Sequence, residues 1–286
     1  MKLLTRSDWL ETHAYLQPVA ELSGDIDRAA ASVETARPET PAWEDYEADF
    51  RSGVPLLQSL DAAVDLAPAG RMTLSLVHKL ASDSSFEKLR ADASALDAEL
   101  QREAGAPRRI VDWLLGETAL TPSSPGLLRY LGWTALGRYL APVRDAFASW
   151  RDEERWLRPY CPTCGSAPAM AHLVGVDPGR LRFLSCGRCG TRWRYKRTGC
   201  PFCEDDAQRL AGLTVEGERG LRIDYCESCR GYLKTYDGQG DEALLLSDWT
   251  SLHLDLLAHD RGLKRLAASL YDLEPLLSQE PMNEAL

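Results

Sequence analysis

Residues 186–203 read CGRCGTRWRYKRTGCPFC, two C-x-x-C pairs separated by a segment that alternates cations with aromatics. A C-x-x-C turn presents two thiolates to one tetrahedral ion, so each pair is half of a four-cysteine shell. Either these two pairs face one another, or each belongs to a different site. Two further pairs lie outside them, Cys161/Cys164 and Cys226/Cys229, and together the four pairs use all eight cysteines of the 286-residue chain. Shared spacing within one short region points to metal rather than to a disulfide framework. The opening MKLLTRSDWLETHAYL reaches Asp8 and Glu11 before an apolar run develops, and no stretch approaches a membrane span of about 18 apolar residues. A reducing cytoplasm, where paired cysteines stay reduced, is the expected compartment.

The region is an internal repeat. CPTCGSAPAMAHLVGVDPGRLRFLSCGRCGTRWRYK and CPFCEDDAQRLAGLTVEGERGLRIDYCESCRGYLKTY carry the same order of events: a knuckle, a strand, a Gly-containing turn, a strand opening on Leu-Arg, a second knuckle and a basic aromatic tail. Their inner spacings, C-x2-C-x21-C-x2-C and C-x2-C-x22-C-x2-C, resemble zinc ribbons and rubredoxin-like modules. VDPGR and EGERG are the expected hairpin turns. Duplication favours sequential pairing, because a repeated unit must close its own shell: Cys161, Cys164, Cys186 and Cys189 in the first site, Cys200, Cys203, Cys226 and Cys229 in the second. A cross-braced arrangement, or a site made from the two middle pairs, stays open on spacing alone. An all-sulfur shell suits iron or zinc and leaves no open position for hydrolysis.

The formal charge of −10 argues against chain-wide affinity for nucleic acid. Between Arg158 and Cys200 the balance reverses, with Arg180, Arg182, Arg188, Arg192, Arg194, Lys196 and Arg197 opposed only by Asp177. This basicity reads first as offsetting the net charge of about −2 on a divalent ion with four thiolates; a docking face for an acidic partner and, after it, a nucleic-acid surface are the alternatives. In TRWRYKR, strand periodicity puts Trp193 and Tyr195 on one face and Arg192, Arg194 and Lys196 on the other, and these three cations are the candidate partner-binding residues.

Before about residue 155 the chain reads as helices. In SSFEKLRADASALDAELQREAG, Ser84 and Glu87 form a capping-box pattern, and Phe86, Leu89, Ala93, Leu96 and Leu100 follow at helical spacing to a stop at Gly105. Leu128, Leu131, Ala135, Tyr139, Val143, Phe147 and Trp150 make a second stripe broken near Pro142. VETARPETPAWEDYE reads as a loop. His13, His78 and His172 are single, have no ligand-like neighbours in sequence, and read as ordinary surface or core histidines. His253 and His259, six positions apart on one helix, point about 240° from one another and do not chelate a shared ion.

CPTCGSAP, LRFLSCGRCGTRW, CPFC, YCESCRGYLKTY and SLHLDLLAHDRG, in this order, resemble the FdhE family of formate dehydrogenase accessory proteins, over about Cys161 to Leu266. Trp249 departs from the smaller apolar residue expected in the last motif. The resemblance implies an α+β multidomain chain: a helical domain over 1–157, rubredoxin-like modules over 158–198 and 199–240, and a C-terminal helix and tail over 241–286. It implies metal at all eight cysteines, iron being the metal associated with the family, and a cytoplasmic factor that acts on the catalytic subunit of respiratory formate dehydrogenase before twin-arginine export. The chain shows no nucleophile elbow, phosphate loop or HExxH, so an enzyme is not expected. A rubredoxin-like electron carrier and a zinc-ribbon regulator binding nucleic acid are the alternatives.

Overall fold

The computed structural model describes residues 3–150, 155–176, 179–205 and 209–271, the side chains of 149 and 150 excepted. The chain opens with α1 (Arg6–Thr12), α2 (Gln17–Ser32), α3 (Trp43–Ser52), α4 (Ala67–Asp83), α5 (Glu87–Leu100), α6 (Ala106–Leu115), α7 (Pro125–Tyr139) and α8 (Ala141–Trp150). Six strands follow, β1 (Met170–Val174), β2 (Leu181–Ser185), β3 (Arg192–Tyr195), β4 (Leu210–Thr214), β5 (Leu221–Cys226) and β6 (Tyr232–Tyr236), then α9 (Glu242–Leu245) and α10 (Leu252–Asp260). A helical half, a sheet carrying the cysteines and a C-terminal helix are thus the architecture expected from the sequence.

The helical half is organised around α4, which packs against α2, α5, α6 and α7. Gly70 permits the approach of α6, since a Cβ there would sit 2.0 Å from the Pro107 carbonyl oxygen. The second apolar stripe is buried as its spacing demands, with Leu128, Leu131, Ala135, Tyr139, Val143 and Phe147 all in the core. The break falls at Leu140, and Pro142 sits in the first turn of α8, where its missing N–H costs nothing. Trp150's place on the stripe lies outside the described residues, as does the tip of the VDPGR turn at 177–178.

Two local readings are corrected. Phe86, not Ser84, is the N-cap of α5, and the Ser84 hydroxyl instead accepts from the Phe86 N–H at 3.3 Å, so no capping box forms. The loop from Val33 ends at Ala42: Trp43 begins α3, because Trp43, Tyr46 and Phe50 recur at helical spacing and form an aromatic cluster with Phe147.

The two cysteine repeats form one six-stranded sheet, in the order β3-β2-β1-β6-β5-β4. Within each repeat the strands pair antiparallel, and the junction is a parallel pairing of β1 with β6, Met170 opposite Lys234 and His172 opposite Tyr236. Trp193 and Tyr195 of β3 are buried while Arg192 and Arg194 are half-buried, as strand alternation requires. A continuous core joins helices to sheet: Phe50, Phe147 and Trp156 belong to the same cluster as Cys161, Leu184, Cys186 and Trp193.

A second core lies over the other repeat, where Trp9 and Leu16 meet Ile223, Tyr232, Leu254 and Ala258. At its heart is a buried ion network. Lys234 of β6, 1% exposed, reaches Asp255 at 2.9 Å and Asp248 at 2.5 Å, and Arg265 reaches the same two carboxylates. The Tyr232 hydroxyl donates to Asp255 at 2.6 Å. Trp249 is buried here with the Arg6 guanidinium over its ring, which accommodates the bulky residue in the C-terminal motif.

Candidate metal centres

Each C-x-x-C is shaped by backbone hydrogen bonds that recur at all four knuckles. The first cysteine's N–H donates to the carbonyl five residues on, Cys161 to Ser166, Cys186 to Thr191, Cys200 to Asp205 and Cys226 to Gly231, at 2.9–3.1 Å. Its carbonyl in turn accepts from the residue after the second cysteine: Gly165, Gly190, Glu204 and Arg230. Closing that turn requires a left-handed backbone, and these four residues have φ of 73°, 73°, 57° and 62°. The first repeat places glycine there; the second places two residues that bear a Cβ and carry the associated strain.

The repeats close on themselves. Cys161, Cys164, Cys186 and Cys189 gather in one cluster, and Cys200, Cys203, Cys226 and Cys229 in another, all four sulfurs of each within 4.8 Å of one another. All eight thiols are free. Neighbouring sulfurs stand 3.5 Å apart in the first cluster, and 3.6 and 3.8 Å apart in the second. Metal–sulfur bonds of about 2.3 Å in a tetrahedron place sulfurs about 3.8 Å apart, so these spacings lie close to those of a four-sulfur shell. Backbone N–H groups of Thr163, Phe202 and Gly231 point at Cys161, Cys200 and Cys229 sulfur at 3.3–3.4 Å, which favours thiolate. Burial pushes the Cys161 thiol up and the Cys200 thiol to about 12. At Cys226 burial works in the same upward direction but is outweighed by hydrogen bonds, led by the Cys229 and Ser228 N–H groups, which bring it down to about 7. Loading either cluster therefore displaces protons.

The clusters differ in setting. Three sulfurs of the first belong to buried residues within the helix–sheet core, and Thr163 and Thr191 hydroxyls meet at 2.8 Å behind it. In the second, Cys203 is exposed and Cys229 half-buried.

The cationic strip is drawn partly into the fold. Arg180 pairs with Asp237, the buried Arg182 donates to the Gly199 carbonyl at 3.1 Å, and Arg192 donates to His172 Nδ1 at 2.7 Å. Lys196 lies over the Tyr195 ring, 5.8 Å from its centroid. His172 is held low, by burial first, and stacks on Tyr236. His78 is exposed beside Asp97, and His259 is exposed on the face of α10 away from His253.

The FdhE central-domain family matches residues 160–197, spanning the first cluster and β3. An FdhE homolog of Aquifex aeolicus is 33% identical over 130 residues, 43% of this chain and 46% of the relative. One from Pseudomonas aeruginosa is 41% identical over 120 residues, 38% of each. FdhE of Escherichia coli K12 is 29% identical over 231 residues, covering 74% of this chain and 73% of the relative. In each of these comparisons the chain is similar to FdhE proteins. The crystal structure of an FdhE protein from Pseudomonas aeruginosa shares the fold, with a TM-score of 0.60 at 24% identity over 94% of this chain and 97% of that one. The chain matches less than half the length of the first two FdhE relatives. Among the described residues, no helix is long and apolar enough to cross a membrane.

A third cluster was not legible in the sequence. His13, Glu218 and His253 bring their polar atoms within 4.8 Å of one another, although 205 residues separate the first two. No local pattern marks it, because each residue comes from a different element.

Proposed function

We propose that this protein, like the FdhE proteins it resembles, is an accessory factor for formate dehydrogenase that binds the enzyme's catalytic subunit in the cytoplasm before export, and that all eight cysteines ligate two metal ions, iron or zinc. The observation that carries the reading is the pair of complete four-sulfur clusters. With every tetrahedral position taken by cysteine, neither would retain a site for water or substrate, which disfavours metal-assisted hydrolysis. Iron would supply one-electron chemistry at such a centre and zinc would supply structure alone. Residues 1–157, 158–198, 199–240 and 241–286 are its proposed segments, each repeat with one ion. Arg194 and Lys196, with Arg192 behind them, are proposed to steer acidic partner surface.

Deleting the gene in a host with one copy is expected to abolish respiratory formate dehydrogenase activity, and anaerobic affinity capture is expected to recover the catalytic subunit. Metal analysis of the same sample reads two ions per chain in the cysteine clusters. Full activity in the deletion strain overturns the accessory role. Loss of activity with no recoverable complex favours the electron-carrier reading instead.

A further inference from the structure

The His13, Glu218 and His253 cluster stands apart from both cysteine sites. His13 follows α1, Glu218 lies in the turn between β4 and β5, and His253 is in the first turn of α10. The side chains of His13 and Glu218 are each 6% exposed and that of His253 is 12% exposed. His13 Nδ1 lies 3.0 Å from the Trp9 carbonyl oxygen, which only accepts, and 2.9 Å from the Thr12 hydroxyl, which donates to that same carbonyl at 3.0 Å, so Nδ1 carries a hydrogen. In the neutral ring Nε2 then presents a lone pair, and it faces Glu218 Oε1 at 3.2 Å. His253 Nε2 approaches the same oxygen at 2.6 Å. The second carboxylate oxygen, Oε2, is buried without a hydrogen-bond partner, as is His253 Nδ1. A buried lone pair facing a carboxylate needs positive charge between them, either a second proton on His13 or a cation.

We propose that His13 Nε2, His253 Nε2 and the Glu218 carboxylate form a third metal site, for a divalent transition ion of the zinc or ferrous class. Two imidazoles and one carboxylate are donors for such an ion rather than for calcium or magnesium, which take oxygen ligands. The Trp9 carbonyl on His13 Nδ1 is the outer partner that fixes the tautomer and aims Nε2. Tetrahedral N/O ligands at about 2.0–2.1 Å stand about 3.3 Å apart, so the His13–Glu218 spacing already fits and the His253–Glu218 spacing opens by about 0.7 Å. The unpartnered Oε2 gives the carboxylate a second oxygen with which to follow. Trp9 stacks on His13 with ring centroids 3.8 Å apart, and the Tyr15 ring stands edge-on to both histidines, which holds the imidazoles in place. Three protein ligands leave a fourth position open, unlike the cysteine sites. Tyr15 and His253 also line a cleft of about 670 Å³, with Leu252, Leu256, Tyr130 and Tyr271 among its walls. The site is independent of the formate dehydrogenase reading.

Full-length protein with both cysteine clusters zinc-loaded is titrated with Zn²⁺ and its stoichiometry read by native mass spectrometry, beside His13→Gln, His253→Gln and Glu218→Gln. Three ions per chain are expected in the parent and two in each variant. Affinity for the third equivalent should fall by at least the roughly 10–100-fold that losing even an outer partner of a ligand costs. Zinc-edge anomalous diffraction of the parent should show a peak between His13 and His253, a measurement that decides the matter even if a variant fails to fold. A parent that binds two ions, or a third ion retained by all three variants, overturns the site and leaves a protonated His13 as the balancing charge.

Discussion

Replacing Lys234 with methionine keeps most of the side chain's volume and removes only its charge from the network beneath α10. Lys234 is 1% exposed and faces Asp248 and Asp255, the latter also 1% exposed, while Arg265 contacts both. The native set holds two cations and two anions. Without Lys234 the two carboxylates share one guanidinium, leaving a net buried negative charge. Breaking a buried ion pair from one side costs about 3–5 kcal/mol. At about 2–4 °C per kcal/mol this lowers the melting temperature by roughly 6–20 °C, read by calorimetry with the metal content held constant. Lys234→Met/Asp255→Asn restores balance around the Arg265–Asp248 pair, and the Tyr232 hydroxyl still finds an acceptor, so the double variant should regain at least half the loss.

The pH dependence separates charge from packing. In the parent, burial alone would raise the Asp248 pKa, but Lys234 and Arg265 hold it well below the usual carboxylate range. A depressed folded-state pKa gives stability that is present above the unfolded value near 4 and lost as pH falls below it. In Lys234→Met the surviving carboxylates are short of positive charge and one takes up a proton more readily, so the deficit against the parent should shrink between pH 7 and 5. A loss below about 1 kcal/mol, a deficit that does not change with pH, or a double variant no better than the single would refute the electrostatic argument.

In metal-free protein a thiol reagent should modify Cys203 well before Cys161, Cys186 and Cys189, because the second cluster has an exposed cysteine whereas the first has three buried ones and a half-buried Cys164; mass spectrometry of quenched samples gives the order. For the same reason a chelator should strip the second cluster first and leave the helical signal in circular dichroism intact, whereas emptying the first should lower the stability of the helical half with it. Arg230→Gly relieves a left-handed residue and should be neutral or stabilising by up to about 1 kcal/mol, while Gly165→Ala should cost about 1–2 kcal/mol in thermal unfolding.

The features visible in the sequence were those whose cause is local. A knuckle is closed by hydrogen bonds within six residues, so C-x-x-C spacing and its repetition gave both clusters and their sequential membership. Strand alternation put Trp193 and Tyr195 inward, and the 128–147 stripe lies in the core. Where two local solutions competed, the reading failed: Ser84 caps nothing because its hydroxyl turns to Phe86, and the acids and prolines around Trp43 hid an aromatic helical face. Juxtapositions across the chain left no periodic trace. Lys234 looks like an ordinary cation in a basic tail, and only packing of α10 on β6 makes it a buried one. His13 has no neighbour within reach in sequence, and its partners arrive from the β4–β5 turn and α10. The geometric argument that His253 and His259 diverge on their helix held, yet His253 found its partners on other elements.

The parallel pairing of β1 with β6 makes the relation between the repeats head-to-tail: the last strand of the second receives the first strand of the first. Such heterologous contact does not close as a two-fold interface would, because each unit added presents afresh the edge that accepts the next. The chain terminates the series by its surroundings. At one end β3 sends Trp193 and Tyr195 into the helical core. At the other, β4 is a short five-residue edge strand with Gly212 and Thr214 exposed, features that make a poor template for another strand. Copy number in this sheet is therefore set by its capping elements rather than by symmetry, and a β4 made longer, flatter and more apolar would be the place where separate chains begin to add to one another.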